Sequence, residues 1–139
     1  MGRKYNLNGT TPEEQLAINL IEQQVVDVYR NITRINYDPQ ANKLKDDFIA
    51  NVLPGDLKPL STWLGDKAFV AKSTISYCDF LLFEVLYKIS IHAPGSLDPF
   101  PNLKKFIERI MSLPQMVEYF KNSTPIPFNG ISAQWNPSA

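Results

Sequence analysis

Asp27, Tyr37, Cys78 and His92 are the side chains in this sequence whose types and settings invite chemistry. Asp27 stands among Val25, Val26 and Val28 in the middle of a long helical pattern, and periodicity assigns it to the solvated face. Tyr37 falls just past the end of that pattern, before Asp38-Pro39. A tyrosine there either packs with its hydroxyl at the surface or donates a hydrogen bond into an adjoining cleft. His92, the only histidine, comes at the end of a strongly apolar helix. A cation there meets the negative end of the helix dipole, so a capping or surface role is expected. Cys78 lies beside Tyr77, Phe80 and Leu81, the setting of a small buried hydrophobe rather than a nucleophile. A single cysteine excludes an intramolecular disulfide and an all-cysteine metal site. The sequence has no glycine-rich phosphate loop, no His/Cys/Asp cluster at ligand spacing and no nucleophile elbow, so neither a metal nor a cofactor is expected.

Composition narrows the classes further. A chain of 139 residues suits one domain spanning 1–139, with enough length to bury a core unaided. Fourteen basic residues balance 14 acidic ones, and the longest basic run is Lys104-Lys105. That balance offers no field to steer nucleic acid or an anionic membrane, and neither is expected as a partner. No apolar stretch follows Met1-Gly2-Arg3-Lys4, and no window has the apolar length to span a bilayer. A cytoplasmic location is the expectation.

The elements that must position these residues read as helices throughout. Thr11 caps the first, with Pro12 at its first position and Glu14 completing a capping box. Leu16, Leu20, Ile21, Val25, Val28, Ile32 and Ile35 then predict one apolar stripe, ending before Asp38-Pro39. A second helix is predicted over 40–52, with Leu44, Phe48, Ile49 and Val52 inward and a break at Leu53-Pro54-Gly55. The pattern resumes near Asp56, with Pro59 in a first turn, and stops at Gly65. Ser76-Tyr77-Cys78-Asp79 forms a second capping box, opening a helix to about Ile91 that is apolar on almost every side. Such a helix belongs at the centre of a domain. Two shorter helices, about 102–111 and from Ser112-Leu113-Pro114 to near Lys121, precede an extended tail at about 122–139. The fold class is all-α: a helical bundle around a buried central helix.

The order of these motifs resembles the C-terminal domain of the mu-class glutathione transferases over essentially the whole chain. Arg3-Lys4-Tyr5-Asn6-Leu7 with the capped Thr11-Pro12-Glu13-Glu14 is similar to that domain's opening. Glu22 to Asp27 resembles the helix lining its dimer interface and active site, and Ile35-Asn36-Tyr37-Asp38-Pro39 its tyrosine loop. Trp63-Leu64-Gly65 and Ile75 to Phe80 match the folding motif before its central helix. Leu97-Asp98-Pro99-Phe100-Pro101-Asn102-Leu103 and Ala133-Gln134-Trp135 resemble its later loop and its tail.

The resemblance implies half of an enzyme that conjugates glutathione, as cosubstrate, to hydrophobic electrophiles. Asp27 would meet the glutathione held by the other subunit of a homodimer formed through the first long helix. A carboxylate suits the ammonium of that cosubstrate. Tyr37 would be the catalytic hydroxyl, donating to the electrophile as charge develops on it. The tail from Phe128 to Trp135 would wall the same site, with Phe128 binding substrate, and Leu60 and Trp63 would receive an aromatic key from the partner. Several features depart from the pattern: Asn19 stands for an acid, Pro54-Gly55 and Pro59 disturb a helix, the tail is short, and Lys72 replaces a common glycine. The thiol-activating tyrosine of the family lies in a preceding thioredoxin-like domain, so this chain alone is expected to be inactive. A non-catalytic assembly module and a holder of hydrophobic ligands are the competing readings.

Overall fold

The computed structural model describes residues 2–72, 74–123 and 129–135. Among the described residues six α-helices follow in order: α1 (Pro12–Asn36), α2 (Ala41–Asp47), α3 (Leu53–Leu64), α4 (Tyr77–His92), α5 (Pro101–Met111) and α6 (Pro114–Asn122). A 3-10 turn, Gly2–Tyr5, precedes α1, and a π-helical turn, Phe48–Val52, joins α2 to α3. The described residues contain no strand beyond two isolated bridges in the loop before α4, Phe69 with Lys72 and Ala71 with Thr74. The domain is all-α, as the periodicity predicts.

Both capping boxes form. Glu14 N–H donates to Thr11 Oγ1 while Glu14 Oε2 accepts from the Thr11 N–H, which starts α1 where the sequence places it. At α4 the box is buried: Ser76 N–H and Oγ both donate to Asp79 Oδ2, at 2.8 and 2.7 Å. Asp79 Oδ1 also accepts from Val70 N–H at 2.8 Å, pinning the preceding loop to the helix start. Burial pushes the Asp79 carboxyl up, and the Val70 and Ser76 hydrogen bonds pull it back.

Helix α4 runs through the middle of the core. Cys78, Leu82, Val85, Leu86 and Ile89 are all buried, against Ile18, Val25, Val28 and Ile32 of α1 and Leu103, Phe106 and Ile110 of α5. Each such aliphatic side chain contributes about 1.5–3 kcal/mol of burial free energy. Burial also pushes the Cys78 thiol up to about 12, with Asp79 and Glu22 adding to it, so the cysteine is inert packing as expected. At the far side, Phe120 of α6 meets the stacked rings of Phe83 and Tyr87 edge-on.

Four expectations need correction. Leu16 and Leu20 are 60% and 54% exposed, while Ile18 is fully buried. With about 100° of rotation per residue, the two leucines fall well round the helix from the row through Ile18, Ile21, Val25, Val28 and Ile32. The expected break at Leu53-Pro54-Gly55 is absent, because the π turn carries the chain straight into α3. Leu53 N–H bonds to Phe48 O, five residues back, and both of these side chains are buried, whereas Leu44 and Val52, expected inward, are exposed. Pro59 therefore sits inside α3 rather than in its first turn.

Candidate functional site at the end of helix α1

Helix α1 ends because Asp38 precedes proline, which disfavours helical backbone at that position. Ending a helix leaves its last carbonyls without partners. One of them, Asn36 O, accepts from two tail amides, Gln134 N–H at 2.7 Å and Trp135 N–H at 3.1 Å. The tail, expected to be extended, is thus turned and docked in its described part, 129–135.

Side chains reinforce the dock. Asn36, fully buried, donates from Nδ2 to Asn129 Oδ1 at 3.1 Å. Asn129 Nδ2 donates in turn to Trp135 O at 3.2 Å and to His92 Nε2 at 2.7 Å. His92 Nδ1 lies 3.1 Å from Lys88 O, a carbonyl that can only accept. The proton is therefore on Nδ1, and Nε2 is the acceptor, which makes the ring neutral. Burial pushes the His92 ring down from its ordinary value and the Lys88 charge adds to this, against the pull of the Lys88 carbonyl. The indole of Trp135, 7% exposed, meets the His92 ring edge-on at 5.5 Å and Phe48 of the π turn at 6.4 Å.

His92 is the clearest correction to the sequence reading. It does lie at the end of α4, but it is 4% exposed and neutral, not a surface cation on the dipole. Nothing near it in sequence signals this, because the tail residue that covers it is 37 positions away.

Tyr37 stands at the rim of this cluster, 41% exposed. Its Oη accepts from Gly130 N–H at 2.8 Å. The hydroxyl thus accepts a tail amide, a role neither expectation named, and that bond does not use its own proton. Gly130 suits the contact, since a Cβ there would come within 3.4 Å of the phenol oxygen.

Asp27 lies elsewhere on α1. Its carboxylate is 63% exposed and 3.4 Å from Arg30 Nη1, an exposed pair of little energetic weight. Ten residues of helix separate it from Tyr37, about 15 Å along the axis. The two residues share a helix but not a locus. Phe128 lies outside the described residues. Among the described residues no group of His, Cys, Asp and Glu is placed to hold a metal, and no helix is long and apolar enough to cross a membrane.

A cavity of about 590 Å³ opens apart from the tail cluster, lined by Gly55, Lys58, Pro59, Thr62, Trp63 and Lys67. Trp63 forms its wall and carries Lys67 Nζ 4.3 Å from its ring centroid, whereas Leu60 is buried beneath. The sequence reading missed two further residues. Lys88 is 2% exposed on α4, its ammonium 5.0 Å from the Tyr29 ring, and burial pushes it down. Asn129 was a tail residue without a signal.

Known proteins share this arrangement of helices. Residues 26–123 match the family model described as "Glutathione S-transferase, C-terminal domain". The chain is 48% identical over 136 residues to a glutathione S-transferase of Tyrophagus putrescentiae, covering 98% of this chain and 62% of that protein. It is 36% identical over 134 residues to the class-mu 26 kDa isozyme 1 of Fasciola hepatica, covering 95% of this chain and 60% of that one. The solved pi-class glutathione S-transferase of Onchocerca volvulus superposes with a TM-score of 0.87 at 34% identity, over 96% of this chain and 66% of that one. The chain thus spans about three-fifths of the length of the curated relatives it matches. With two-thirds of its residues inside the matching model and its helices superposing on a solved member, the chain belongs to the glutathione S-transferase C-terminal domain family.

Proposed function

We propose that this chain supplies the hydrophobic-substrate half of a mu-like, cytoplasmic, homodimeric glutathione transferase that conjugates glutathione to hydrophobic electrophiles. The observation that carries the reading is the Tyr37 hydroxyl: half-exposed, oriented by the Gly130 amide, and left with a proton to give. A donor held in this way stabilises negative charge developing on an epoxide or enone oxygen without reorganising first. Asp27, exposed about 15 Å away along α1, would meet the cosubstrate's ammonium rather than the electrophile. Leu16 and Leu20 lie exposed on the same outward side of α1, which supports a dimer contact along that helix. The cavity beside Trp63 fits the receiving of an aromatic side chain from the partner.

Glutathione itself is held, on this reading, by residues other than these 139. Cys78 is buried and His92 is enclosed, so neither can lower the thiol's pKa. The test is a pair of turnover assays with an aryl halide, an epoxide and an enone. The chain alone should give no glutathione-saturable rate above the uncatalysed one. Joined behind the N-terminal domain of the Tyrophagus relative, it should turn over. In that chimera Tyr37→Phe should slow epoxide and enone conjugation, up to roughly a hundredfold, and spare the aryl halide. Asp27→Asn should instead raise KM for glutathione with every electrophile alike. A chimera that binds glutathione yet conjugates nothing would favour the assembly or ligand-holding readings.

A further inference from the structure

We propose that His92 is a positioning residue for Tyr37 that acts as an acid-released latch: neutral, it holds Asn129 and the tail against the phenol; protonated, it lets the tail go. The argument is one of counting donors and acceptors. Asn129 spends its carbonyl on Asn36 Nδ2 and both amide protons on His92 Nε2 and Trp135 O. A proton on Nε2 sets N–H against N–H at the 2.7 Å contact. Turning over the Asn129 amide, and Asn36 with it, would give Nε2–H an acceptor. The same turn sets Asn129 Oδ1 against the Trp135 carbonyl, which loses its donor. In neither orientation does the protonated ring keep all three bonds of Asn129.

Among the described tail residues the other polar holds are backbone ones, Gln134 and Trp135 N–H on Asn36 O and Gly130 N–H on Tyr37 Oη, and the loss reaches them through the residues that Asn129 joins. Gly130, whose N–H meets the Tyr37 oxygen, is the next residue after Asn129. Trp135, whose indole packs on the His92 ring, is also bonded through its carbonyl to Asn129. Among the charged groups that bear on the ring, Lys88 lies one turn back on α4 and opposes a second positive charge. Among the described residues of the tail and the π turn, Asn129, Trp135 and Phe48 meet the ring and its indole neighbour, and none of them titrates. Burial is the chief cause that lowers the ring from its ordinary 6.5, and Asn129 and Trp135 supply part of that cover, so release of the tail leaves a histidine that binds protons more readily. By linkage, docking is complete above about pH 6.5 and weakens as pH falls below it, by up to about tenfold per pH unit. The consequence for conjugation rests on the reading of Tyr37 given above; release of the tail does not, and is measured without substrate.

The chain itself serves as the sample. His92 is its sole histidine, and in a Trp63→Phe background Trp135 is its sole tryptophan. Nitrogen-15 spectra from pH 8 to 5 should show His92 protonated on Nδ1 at high pH, with a titration midpoint below 6.5. With that same midpoint, the Gly130 amide should lose protection and the Trp135 emission should shift to the red. His92→Gln offers a non-titrating carbonyl to Asn129, so its tail should stay docked down to pH 5. A His92 midpoint at or above 6.5, or a Gly130 amide that does not follow it, overturns the latch. So does a tail transition that persists unchanged in His92→Gln. If that variant fails to fold, the coincidence or divergence of the His92 and Gly130 midpoints in the original chain decides alone. Tail release with acid alongside a Tyr37→Phe chimera that turns over epoxides normally would uphold the latch and remove the catalytic reading. A pH-flat tail alongside a slowed Tyr37→Phe chimera would do the reverse.

Discussion

The two ends of helix α4 are both buried and both polar, and they are built on opposite principles. At the N-terminal end, Asp79 gathers Ser76 and Val70, partners three and nine residues away. At the C-terminal end, His92 is closed over by Asn129 and Trp135 from a tail 37 or more residues on, and that tail is tied to Asn36 across 93 residues. Local partners are already near one another in the unfolded chain, so little loop-closure entropy opposes the first cluster. The second forms only when the rest of the domain has put α1 and α4 in place. The first therefore behaves as part of the core, and the second as a separable closure laid over it.

Removing Asp79 should produce the largest effect. Asp79→Ala deletes the cap and leaves Ser76 and Val70 N–H buried without acceptors, a loss of about 2–5 kcal/mol. The denaturation midpoint of the whole domain should fall; an unchanged midpoint would mean the buried box contributes nothing. Asn129→Ala removes three hydrogen bonds at the other end, yet its effect should be confined to the tail. Hydrogen exchange at Gly130 should accelerate by roughly ten- to a hundredfold, corresponding to about 1–3 kcal/mol of local opening. Exchange in α4 should hardly change; if the two rise together, the ends form one cooperative unit and the contrast fails.

The smallest effect concerns the loop that Asp79 pins. Lys72 adopts φ +74°, a left-handed conformation that carries a penalty for any residue with a Cβ. Its side chain gains no hydrogen bond or ion pair among the described residues. Lys72→Gly should raise the midpoint of denaturation by the equivalent of about 1 kcal/mol, relieving the left-handed backbone there. A decrease would show that the lysine earns its place through a contact elsewhere.

How far the sequence could be read follows from the same contrast. The caps at Thr11 and Ser76, the inert Cys78 and the buried run of α4 depend on neighbours within a few residues, and short-range spacing exposes them. Leu16 and Leu20 misled because they step at helical intervals too, though on the outward side; leucine type alone does not say which row faces the core. Tyr37 could be flagged by its place at a helix end, but its partner Gly130 could not, since a backbone amide has no sequence signature. His92 was misplaced for a related reason: its cover arrives from the tail, where no periodicity marks Asn129 as its acceptor's donor.

The π turn at Phe48–Val52 bears on how this domain can change in length. A bond from residue 53 to residue 48 winds one more residue into the turn than an α-helical bond would. The surplus is absorbed within a single coil of backbone, and the next apolar row, Leu53, Leu57, Leu60 and Leu64, emerges still facing inward. A one-residue insertion or deletion elsewhere in α3 would rotate every later side chain by about 100° and expose that row. Here it would need only to widen or tighten one coil. The segment is thus a joint at which sequence length and core register are uncoupled, and Trp135 packs against its first residue.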